Sequence, residues 1–239
     1  MRTTTKTLLA ASAVAWALAA CGGSSSNAPE PLDYEFDDRH IARVSTADKR
    51  AVLDAQSDYA AAVMERANAE TQLEDVETTL RVAKNEREQA ALQASSAQSE
   101  MEAADRSSDQ NRIEQATINL DAAELALRAA EARVEYVERH QEALEAYYIF
   151  RAESAYAQQA RYEYAKARVA EAHGIRPEGF DYAAYEEQAR TRARLAKEAE
   201  SAARSARRQA EDMRDNWENL VRRTHPGASE DGGDETSAR

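Results

Sequence analysis

Alanines and larger apolar residues recur every seven positions through most of this chain, and a pattern sustained that long leaves few folds open to it. One set of positions holds Val52, Tyr59, Arg66, Leu73, Leu80 and Arg87, and three residues on a second holds Ala55, Ala62, Ala69, Val76, Ala83, Ala90 and Ala97. A later pair of sets runs from Ile113 and Ala116, through Leu120, Leu127 and Val134, to Val169 and Ala172. Positions three and seven apart share one side of a helix, so each stretch predicts a long helix with a narrow apolar seam. The two registers do not join. Counting by sevens from Val52 arrives at Ser108, five residues short of Ile113, whereas a stutter or stammer shifts the phase by four or three. A break is therefore expected at Ser107-Ser108-Asp109-Gln110, which offers an S-x-x-Q capping pattern.

The second helix has a clearer end. Gly174 suits the left-handed position just past a helix, and Pro177 follows it. Asp181 then caps a third helix with seam positions Tyr182, Ala189, Ala196, Ala203, Ala210 and Trp217. The chain is thus predicted to be all-α. A long antiparallel coiled-coil hairpin, residues 45–106 and 107–173, is joined through a loop at 174–180 to a shorter helix, 181–223, that packs back to form a three-helix end. Tyr148, Tyr162, Tyr182 and Tyr185 fall on seam positions there, so the best-packed core is expected at that end.

Composition narrows the function classes. The chain is 43% hydrophobic but only 6% aromatic, with 7 Gly and 4 Pro, most of them outside its middle. Helix formers thus dominate, and the large apolar residues and turns of a globular enzyme are scarce. A net charge of -13 argues against nucleic acid as a partner and against broad adhesion to anionic lipid. No nucleophile elbow or phosphate loop occurs, and His40, His140, His173 and His225 show no metal-ligand spacing. Neither catalysis, a metal nor a cofactor is expected.

The amino terminus sets location. Arg2 and Lys6 precede an apolar run from Leu8 to Ala20, of signal-peptide length and too short to span a bilayer. It ends in Leu18-Ala19-Ala20-Cys21, the only cysteine, followed by a Gly/Ser tract. This junction resembles the lipobox of bacterial lipoproteins. The resemblance implies that residues 1–20 are removed as a signal peptide and that Cys21 becomes the acylated N-terminus. Each buried methylene contributes about 0.8 kcal/mol, so the two or three chains implied give stable anchoring. Gly22 follows the cysteine, where enterobacterial lipoproteins retained in the inner membrane have Asp, which points to the inner leaflet of the outer membrane. Residues 21–44 read as the lipidated cysteine and a flexible tether, with Asp33–Arg43 a loosely packed lead-in. Residues 224–239 read as a disordered acidic tail.

Candidate contact residues come from what the seams leave over. Tyr147, Tyr156 and Tyr164 lie off the seam, and a wall of tyrosines suits peptidoglycan sugars or a partner helix. The third helix carries an excess of arginines, including Arg204, Arg207 and Arg208. They are expected either to lie against acidic neighbouring helices or to form a face for an anionic polymer or partner protein. The long Ala-rich heptads resemble in general character those of murein lipoprotein and of the helical hairpins of efflux adaptors and exit ducts. The last residue is Arg239, not the lysine through which murein lipoprotein joins the wall, so wall linkage is not implied. The expectation is a non-enzymatic envelope lipoprotein, facing the periplasm as a spacer or scaffold that self-associates. The competing expectation is an accessory subunit docked on an efflux, secretion or cell-wall machine.

Overall fold

The structure is a computed structural model that describes residues 29–177 and 180–224. Helices α1 (Arg50–Ser107), α2 (Gln110–Ala172) and α3 (Tyr182–Thr224) follow a short 3₁₀ turn at Asp38–Ile41. At about 1.5 Å per residue they are roughly 87, 95 and 65 Å long, so the fold is all-helical and the molecule a rod. Residues 1–28, which hold the expected signal peptide, Cys21 and the Gly/Ser tract, and residues 225–239 of the expected acidic tail lie outside the described residues.

The ends of the helices follow local chemistry. The first helix is expected from residue 45, and Ser45 makes cap-like contacts, accepting the Asp48 N–H at 3.3 Å and donating to the Asp48 carboxylate at 2.7 Å. They close a separate turn, and α1 starts only at Arg50. At the tip the break falls where the register demands it. Ser108 sits in the left-handed region at φ 53°, the one described non-glycine residue to do so. The capping residue is Asp109, not Ser107: its carboxylate accepts the N–H groups of Asn111 and Arg112 at 3.1 and 3.4 Å. Ser107 donates instead to Ala104 O at 2.7 Å, and the charged Asp109 takes the exposed N–H groups of α2. At the other end Gly174 has φ +68°. Ile175 N–H reaches back to Ala170 O at 2.9 Å, the six-to-one bond of a Schellman ending.

The seams pack as the heptads predict. Ala62, Ala69, Val76, Ala83, Ala97 and Ala104 of α1 are buried, and Ala116, Val134 and Val137 answer them from α2. Beyond residue 128 the second helix acquires another buried face, with Ala129, Ala132, Ala143, Ala157 and Ala160. That face receives α3 through Tyr185, Ala189, Ala203 and Ala210. Helix α2 is therefore the central element. Among the described residues no Cα of α1 lies within 8 Å of a Cα of α3.

Of the acidic neighbouring helices against which the arginines of α3 are expected to lie, α1 is out of their reach. With α1 on another flank of α2, they pair along their own helix: Arg194 with Glu198 at 2.7 Å, Arg207 with Glu211 at 2.8 Å, and Arg204 with Glu200. Each such exposed i,i+4 pair contributes only about 0.3–0.5 kcal/mol. The one pairing from α3 to α2 among the described residues is Arg192 with Glu153, at 3.6 Å.

The segment before α1 departs furthest from expectation. It is not a loose lead-in but is strapped to the elbow where α2 turns into α3. Phe36 and Ile41 are buried with Val52, Ala167, Ala170 and Tyr185, and Phe180 packs edge-on to Phe36 at 5.1 Å. Polar groups complete the clasp. Gln188 pairs with the Tyr34 backbone through two hydrogen bonds of 2.9 Å, one in each direction. Glu163 accepts the Phe36 N–H, and Lys166 donates to Phe36 O at 2.8 Å. Lys166 also faces Glu163 at 2.8 Å and Asp38 at 3.0 Å. Burial alone lowers an ammonium pKa, but the hydrogen bonds to Glu163 and Asp38 hold Lys166 above its ordinary value.

Candidate functional site

Because α1 and α3 flank α2 without meeting, a strip of α2 lies open between them. Its residues follow helical spacing: Tyr136, His140, Ala143, Tyr147 and Phe150, with Leu144 beside them. Gln72 of α1 forms one wall, and Glu200, Arg204, Arg207, Glu211 and Arg214 of α3 form the other. The hollow has a volume of about 500 Å³, within the usual range of ligand pockets.

Each end is closed by an arginine stacked on aromatic rings. Toward the tip, Arg133 pairs with Glu86 of α1 and lies over Trp217 of α3 at 5.7 Å. Trp217 stacks on Tyr136 at 5.6 Å with an interplanar angle of 8°. Toward the elbow, Arg151 pairs with Glu65 of α1 at 2.8 Å and lies 5.0 Å from both the Tyr147 and Phe150 rings. Arg151 also donates to the Tyr147 hydroxyl at 2.9 Å. Eighteen positions of α2 separate the two arginines, roughly 27 Å along the axis.

Electrostatically the hollow is mixed. His140 is half-buried on the floor, and burial lowers its pKa, so the imidazole is neutral near pH 7. The rim arginines are exposed, and their carboxylate partners lie on the same helix. Surface pairs of this kind contribute about 0–1 kcal/mol, so an anionic group of a partner can take a carboxylate's place at small cost. An apolar floor with exchangeable arginines is equipped to bind an amphipathic, acidic partner.

The six candidate contact residues divide. Tyr147, Arg204 and Arg207 come together in this groove. Tyr156 does not join them: Arg192 covers its ring at 5.4 Å, and Arg192 also donates to the backbone oxygens of Glu30 and Pro31 at 2.6 and 2.9 Å. Arg192 faces Glu153, whose Oε2 is buried without a hydrogen-bond partner. Burial raises the Glu153 pKa, and Arg192 opposes the rise. Tyr164 packs at the elbow beneath Arg168, at 5.9 Å. Arg208 is exposed, outside the groove lining. Cys21 lies outside the described residues. Sequence reasoning missed Gln72, Tyr136, His140, Phe150 and the stacking role of Trp217. The signal was the second stripe on α2, at intervals of three and four from Tyr136 to Phe150.

Among the described residues no three His, Cys, Asp or Glu side chains converge to hold a metal ion. Comparison of the chain with protein-family models, with curated proteins and with solved structures finds no match.

Proposed function

We propose that this chain is a non-enzymatic envelope lipoprotein: acyl chains on Cys21 hold it to the inner leaflet of the outer membrane, and its helical rod acts in the periplasm as a spacer or scaffold. The observation that carries this reading is the sequence Leu18-Ala19-Ala20-Cys21 followed by a Gly/Ser tract. A rod of about 90 Å suits such a role because alanine seams give length with little core. No helix among the described residues is long and apolar enough to cross a bilayer, so membrane attachment is assigned to the lipid. The test is the mass of the N-terminal peptide of the chain recovered from bacterial membranes. Acylated Cys21 is expected, with incorporated palmitate lost in Cys21→Ser. A free thiol, or an intact leader, would refute the anchor.

The groove favours a second reading, an accessory subunit that docks on an envelope machine. Tyr147, Arg204 and Arg207 then face the partner, an amphipathic acidic helix. A photo-crosslinking residue at Gln72 is expected to capture one discrete protein, and the same residue at Arg208 none. Equal yields at the two positions, or none at either, would remove this reading.

A further inference from the structure

The stripe that floors the groove does not end with it. Counting back from Tyr136 at intervals of three and four gives Ala132, Ala129, Leu125, Ala122 and Ile118, which share one side of the helix. Ala129 and Ala132 are buried, and α3 covers the stripe only that far. It runs antiparallel to α2, Trp217 stacks on Tyr136, and the helix ends at Thr224, near position 129 of α2. Toward the tip, α2 has only α1 beside it among the described residues. There Ala122 is exposed and Ile118 is 56% exposed. Glu114, Asp121 and Glu124 flank them, all exposed.

The tip is thus an acidic helix with an uncovered apolar side, the chemistry that the groove is equipped to hold. Residues 88–131, the tip half of the hairpin, carry nine Asp or Glu against three Arg. On the groove wall Arg204, Arg207 and Arg214 are exposed, and each pairs only with carboxylates of its own helix, which a neighbour's carboxylates can replace at small cost. Gln72 on the other wall is uncharged. A tip cannot fold into its own groove, because Ile118 and Ala143 stand on one helix, 25 positions or roughly 38 Å apart. A second copy has no such constraint. A two-fold axis crossing the rod midway, near position 130 of α2, carries the tip of each copy into the groove of the other. The same two patches are used twice, so the assembly closes at two copies.

We infer that the occupant of the groove is the tip of a second copy of this chain: two rods lie antiparallel, with residues 111–125 of each α2 seated between α1 and α3 of the other. This rests on the reading of the groove as a seat for an amphipathic acidic helix, and it names that helix. Because α3 stops close to the axis, neither copy's third helix blocks the other's tip. The pair is roughly 125 Å long, against roughly 95 Å for one rod.

The test is the mass by light scattering and the length by small-angle X-ray scattering of the purified chain from residue 21, carrying Cys21→Ser so that neither acylation nor a disulfide joins two copies. A mass of two chains and a length of roughly 125 Å are expected. Ile118→Glu alters an exposed side chain, so circular dichroism is expected to stay unchanged while association weakens roughly tenfold or more. Disulfide trapping in the same background reads the geometry. A Gln72→Cys chain mixed with an Ile118→Cys chain is expected to give a crosslinked pair, and either chain alone none, because the two-fold sets like positions roughly 40 Å apart. A monomer at the highest attainable concentration, a dimer no longer than one rod, or a dimer indifferent to Ile118→Glu would overturn the proposal. The docking reading has its own readout. A monomeric purified chain whose Gln72 photo-crosslinker captures a different protein in cells would refute the second copy alone, and a monomer that captures nothing would refute both.

Discussion

Replacing Lys166 with methionine is expected to lower the stability of the rod by about 3–5 kcal/mol, the cost of leaving a buried charge without its partner. The side chains of Lys166 and Glu163 are only 5% and 6% exposed. Without the ammonium, the Glu163 carboxylate has lost its counter-charge, and Phe36 O has lost its donor. For a chain of this size the fall in Tm is roughly 10 °C. Thermal and urea unfolding followed by circular dichroism measure it, and hydrogen exchange of residues 34–41 locates it. The double variant Lys166→Met with Glu163→Gln keeps an acceptor for the Phe36 N–H while removing the stranded charge, so it is expected to recover part of the loss. A single variant within about 1 kcal/mol of the parent would show that the clasp does not depend on this pair.

The second large effect lies in the seam. Ala69 is fully buried between α1 and α2, and Ala69→Glu forces a carboxylate into that alanine-sized space away from water. The cost is on the order of 4 kcal/mol, part desolvation and part the separation of two helices packed to alanine dimensions. Ala67 is exposed on the same helix, and Ala67→Glu is expected to stay within about 0.5 kcal/mol of the parent. Urea midpoints of the two variants check this. Equal destabilisation would mean that the seam is not a packed interface, and equal neutrality that the hairpin opens and closes freely.

These two sites differ in how far the chain alone revealed them. Ala69 could be read from the heptad, because burial in a two-helix seam depends only on position within a seven-residue period. The break near Ser108 was legible for the same reason, as a failure of two registers to join. Gly174 was legible because φ +68° is a conformation that side-chain-bearing residues rarely adopt. The basic third helix misled in part, since its arginines, Arg192 apart, find their carboxylates along the same helix and not on a neighbouring one.

Lys166 and Glu163 could not be read as a clasp. Their partners, Phe36 and Asp38, are well over a hundred residues away, and no local period links them. The same holds for the groove. Its floor is a stripe of α2 that resembles any second helical face until α3 is known to pack on α2 while standing clear of α1. Periodicity and local capping chemistry determined the helices, their seams and the breaks between them, because those depend on neighbours a few residues apart. The tertiary structure alone decided which flank of α2 receives α3, that the strap is fastened and where the chain leaves the rod. Those depend on long-range burial and on polar groups finding partners across the elbow, which no local spacing encodes.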